Sequence, residues 1–74
     1  MLKETLHQLI REAYPNVISL DMVHILAARM NHKQSYAERK LRPSQSPQVE
    51  AIFNQQGHIT GYKWIPRFEQ SQLI

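Results

Sequence analysis

Four histidines, six carboxylates and nine Lys or Arg side chains are the groups in this 74-residue chain that could do chemistry. The histidines, His7, His24, His32 and His58, lie far apart. Zinc ligands on one element typically stand about two to five residues apart, and thiolates often supply half of them. There is no cysteine, so neither a thiolate metal site nor a disulfide framework is expected. No two carboxylates form a suggestive pair for acid–base work, and no Gly-rich phosphate loop or nucleophile motif occurs. The residues therefore predict no catalytic site, no metal and no cofactor. So short a chain would also struggle to enclose a small-molecule pocket of several hundred Å3.

What remains is a charge pattern. The run "HKQSYAERKLRPS", residues 32–44, sets Lys33, Arg39, Lys40 and Arg42 around one acid, Glu38. Residues 29–42 carry five bases and one acid, a local charge of +4. The rest of the chain has four bases against five acids, so the whole net charge of +3 comes from this segment. Clustered guanidinium and ammonium groups suit a polyanion, and their coincidence on one element is the electrostatic signature of nucleic-acid binding.

The elements that must carry this run follow from periodicity. Leu2, Leu6, Leu9, Ile10 and Ala13 form one apolar stripe, which predicts a helix over 2–13, stopped by Tyr14-Pro15. Val17-Ile18 could pair at a sheet edge. Ser19 reads as an N-cap, with Asp21 in the first turn, and Val23, Leu26, Ala27 and Met30 give a second helix ending near Met30. Asn31 suits a left-handed turn. Ser35 and Glu38 read as a capping box opening a third helix over about 35–42, with Ala37 and Leu41 inward and Arg42-Pro43 as its stop. "PSQSP", 43–47, is a loop by composition. From Val49 the period drops to two: "VEAIF" and "HITGYKWI" predict strands joined at "NQQG", where Asn54 and Gly57 suit a type I turn leading into a bulge. Residues 67–74 show no periodicity and read as a tail, disordered by expectation. The expected fold is α+β: three helices and a C-terminal hairpin in one domain over 1–66.

Ala27, Met30, Asn31, Ala37 and Leu41 are spaced as in a helix-turn-helix. With a helix before and a hairpin after, residues 2–65 resemble the winged helix-turn-helix family. "SYAERKLR" followed by "GHITGYKW" is similar to small members of phage and prophage origin. The chain departs from the common pattern at Asn31, His32 and Ala37, where members carry Gly, an apolar residue and a larger branched one.

The resemblance implies that the third helix enters the major groove of double-stranded DNA and that the hairpin is the wing. Arg39 would then suit guanine and Gln34 adenine, with Lys33, Lys40 and Arg42 on phosphates. Ser35 and Glu38 have capping as a competing role, and Tyr36 is either a phosphate contact or a half-buried anchor. Gln55, Gln56 and His58 at the wing tip, with Lys63 behind them, could reach the backbone or minor groove, or be polar simply because a turn tip is wet. Tyr62 and Trp64 could stack on bases, but their alternation fits packing against the first helix better.

A function in transcriptional or phage-type gene control is the expectation. A protein-docking module of the same fold, or a part of a replication or packaging assembly, stands beside it. The first helix and the ending "QLI" could support a homodimer. No apolar stretch nears the roughly 18 residues of a membrane span, and "MLKETLHQL" does not read as a signal peptide. The expected compartment is the cytoplasm, or the host cytoplasm if the chain is phage-encoded.

Overall fold

In the computed structural model, which describes residues 1–66, the first apolar stripe becomes α1 (Leu2–Ala13). It turns Leu2, Leu6 and Ile10 fully into the core. The chain then forms β1 (Ile18–Ser19) and α2 (Leu20–Arg29). Ser19 is the N-cap of α2 as its position predicted: its hydroxyl accepts from the Met22 amide at 3.2 Å.

The end of α2 depends on Asn31, which adopts φ 61°. That geometry sends the His32 amide to the Ala27 carbonyl at 2.8 Å and the Asn31 amide to the Ala28 carbonyl at 3.1 Å. This is the Schellman pattern, which satisfies carbonyls that the last turn would otherwise leave unpaired. Asparagine tolerates the left-handed region better than most residues with a Cβ, so the turn forms without glycine.

The third helix differs from the expected 35–42. It is α3, Gln34–Lys40, with Lys33 as an extended N-cap that makes no side-chain capping bond. The predicted Ser35–Glu38 capping box does not form. The sharp end of α2 brings Lys33 to the cap position two residues early, so Ser35 already lies inside the helix. The stop also comes early. Leu41 is the C-cap, and Pro43 biases Arg42 away from the α conformation. The Lys40 carbonyl, which has no intrahelical donor, accepts the Ser46 hydroxyl at 2.5 Å instead.

β2 (Val49–Phe53) and β3 (Ile59–Trp64) form the hairpin, and β1 pairs antiparallel on the other edge of β3, giving the order β1-β3-β2. At the turn, the Asn54 amide donates to the His58 carbonyl at 2.9 Å and the Gly57 amide to the Asn54 carbonyl at 3.0 Å, with Gly57 at φ 82°. The Asn54 side chain also accepts from the Gln56 and His58 amides, an Asx contribution that fixes the tip. A register shift at Ile52/Phe53 adds a bulge.

One core joins these parts. α2 and α3 contribute Val23, Ala27, Ala37 and Leu41, and the sheet contributes Val49, Tyr62 and Trp64. Ala27 and Ala37 are fully buried where the two helices meet, and their small side chains permit the close approach. Tyr62 and Trp64 point inward as the packing reading expected, with the Trp64 ring edge-on to His7 of α1 at 5.8 Å. They are therefore not surfaces for stacking bases. The described residues form a small α+β domain of three helices and a three-stranded antiparallel sheet. The tail expected at 67–74 lies outside the described residues.

Candidate functional site

α3 advances about 100° per residue, so its four sides are separable. Ala37 and Leu41 take the inner side. Diametrically opposite stands Arg39, flanked by Ser35, and both are exposed. Arg42 follows on the same outer side, one residue beyond the C-cap, and is exposed too.

The third side faces α2. There, His24 Nε2 donates to Glu38 Oε2 at 2.8 Å. The single acid of the basic run is thereby tied to a neighbouring helix. The fourth side holds a ladder. The His32 and Tyr36 rings stack with centroids 4.8 Å apart and planes 11° from parallel. The Lys40 ammonium lies 5.3 Å from the Tyr36 ring centre, a cation–π contact. Tyr36 packs against the core, which favours the anchor reading for its ring.

The predicted site residues therefore divide. Ser35, Arg39 and Arg42 are exposed on the outer side of α3, Lys33 and Gln34 are exposed at its start but more than about 100° around the axis from Arg39, and Lys40 is half-buried. Gln55, Gln56 and His58 are exposed together at the hairpin tip. Between the end of α3 and the hairpin lies a hollow lined by Arg42, Glu38, Glu50, Phe53 and Lys63, which none of the three tip residues reaches. Lys63 stands apart. It pairs across the sheet with Glu50, roughly 20 Å along the strand from the tip at about 3.3 Å per residue. Arg29 also leaves the basic cluster, since it lines a groove between α1 and α2.

Three features were not anticipated. Phe53, beside the tip, is 59% exposed, an apolar side chain placed where the hairpin ends. The Glu38–His24 bond spans fourteen positions, beyond any local motif. Ser46 is fully buried inside a stretch that composition marks as a loop. Its hydroxyl donates to Lys40 and so accepts from His7 Nε2 at 2.7 Å. This serine–histidine contact is structural: the hydroxyl proton is committed to a carbonyl, and the histidine is the donor rather than a base. Burial, reinforced by the Lys3 ammonium, pulls the His7 pKa below its ordinary value, with Glu4 opposing. Burial and then the Glu38 charge push the Tyr62 phenol upward.

Among the described residues, no group of three or more His, Cys, Asp or Glu could hold a metal ion, and no helix is long and apolar enough to cross a membrane. No protein family, curated protein or solved structure matches this chain.

Proposed function

We propose that this chain binds double-stranded DNA as a winged helix-turn-helix module, with α3 in the major groove and the β2–β3 hairpin as the wing. The sheet order β1-β3-β2 and the tight α2–α3 turn are compatible with that architecture. The observation that carries the reading is the placement of Glu38. With its carboxylate held by His24, the outer side of α3 presents cations and neutral donors.

On this reading Arg39, outermost on α3, takes a guanine edge in bidentate fashion, and Gln34 and Ser35 face neighbouring bases. Lys33, Lys40 and Arg42 contact phosphates and set the register. Gln55, Gln56 and His58 reach the backbone or minor groove from the wing, with Phe53 against a sugar edge. Lys63, facing Glu50, contributes least. The setting is gene control of the transcriptional or phage type.

Binding to mixed-sequence duplex DNA at rising salt tests this directly. Three phosphate contacts give a slope of log K against log salt of about −3. Absence of binding at low salt, or binding indifferent to salt, would exclude the function.

A further inference from the structure

We infer that the groove between α1 and α2 is the contact surface between two copies of this chain. The groove has a volume of about 260 Å3, and its apolar lining is Leu9 of α1 with Met22, Ile25 and Leu26 of α2. Met22 is 44% exposed and Ile25 47% exposed. α2 is thus apolar on two sides. Val23 and Ala27 fill the core, while Met22 and Ile25 stand toward solvent with nothing among the described residues covering them.

The rim indicates which partner fits. It carries one acid, Glu12, and one base, Arg29. Arg29 makes no ion pair among the described residues. In a twofold contact each patch meets itself, so Glu12 of one copy meets Arg29 of the other, and the reverse. Both charges are then matched twice over, around a shared apolar centre. An anionic lipid surface or an acidic protein would leave Glu12 facing like charge. A second copy is the occupant that satisfies both signs.

The geometry also leaves α3 free. His24 faces α3 from one side of α2, while Met22, Ile25 and Arg29 lie about 100–160° around the helix from it, at about 100° per residue. A dimer through this groove exposes two basic faces. If the DNA reading holds, it binds two half-sites related by a dyad. The patch is small, so association is weak and concentration-dependent.

Sedimentation equilibrium on the full chain without DNA separates this inference from the DNA reading. The weight-average mass is expected to rise toward twice the monomer value as loading goes from about 10 µM to about 1 mM. Ile25→Glu, at a half-exposed position, keeps the helical circular dichroism and abolishes the rise. Glu12→Arg and Arg29→Glu each weaken association about two- to five-fold, and the double swap recovers it. A monomer at the highest loading overturns the proposal. So does self-association that survives Ile25→Glu, or a double swap no better than the single changes.

Discussion

Replacing His24 with alanine removes the imidazole that holds Glu38 and so tests two links at once. The first is stability. A hydrogen bond to a charged group is worth about 1.5–3 kcal/mol when its loss leaves that group buried. The Glu38 side chain is 38% exposed, so water recovers part of the loss. The cost should fall near 1 kcal/mol, which lowers Tm by about 4–8 °C in a domain this small. The second link is affinity. A freed carboxylate can swing from the α2 side toward the outer side of α3. A like charge about 4 Å from a phosphate costs about 1 kcal/mol in water before salt screening. Screening at ordinary ionic strength leaves about half of that, roughly a two-fold loss in Kd. Fluorescence anisotropy on a labelled duplex and a thermal melt give both numbers. The double variant, His24→Ala with Glu38→Ala, should regain wild-type affinity without regaining stability. If the double variant binds as poorly as His24→Ala alone, the carboxylate is not what weakens binding. If His24→Ala changes neither quantity, the inward placement of Glu38 does not matter.

Gly61→Ala tests the β1–β3 pairing. An added Cβ would sit 2.6 Å from the Ile18 carbonyl oxygen and 2.7 Å from Val17 Cγ1, so the two-residue β1 must retreat. The expected cost is about 2–3 kcal/mol out of a total of roughly 4–11, read as a lower urea midpoint; an unchanged midpoint contradicts the packing. His7 predicts a pH effect. Its folded pKa lies below its unfolded value because burial and then Lys3 disfavour the cation. The unfolded chain therefore holds the extra proton, and this contribution to stability is complete above about pH 6.5 and declines as pH falls through the folded value. The urea midpoint of wild type should drop more than that of His7→Gln between about pH 7.5 and 5.5; parallel profiles would remove His7 as the cause. Arg39→Ala should cost about 1–3 kcal/mol on a preferred site and flatten discrimination there, measured by competition between duplexes. Equal loss on every sequence would make Arg39 a phosphate contact.

Local signals were legible where local chemistry decides the outcome. Leu2, Leu6 and Ile10 recur at the helical period, and the helix they predict has the observed bounds. Ser19 caps because its hydroxyl reaches an amide three residues on. Asn31 and Gly57 take positive φ where turns demand it. The reading failed where a distant residue outbid a local one. Ser35 and Glu38 have capping-box spacing, yet Glu38 is taken by His24 from another helix. Ser46 reads as loop by composition, yet closes α3 because Lys40 needs a donor and α1 supplies His7. The candidate face was legible as a charge count. The segregation of Arg29 from Lys33, Arg39 and Arg42 was not, since it depends on which side of α2 packs against α1.

The central claim is that α3 and the wing form one surface for duplex DNA. Backbone amide shifts recorded while a duplex too short to seat two copies is titrated into the labelled chain test it most directly. Shifts confined to residues 33–42 and 53–58, with α1 and the outer side of α2 unmoved, are the predicted result. Shifts centred on Leu9, Met22 and Ile25, or none at saturating duplex in low salt, would contradict it.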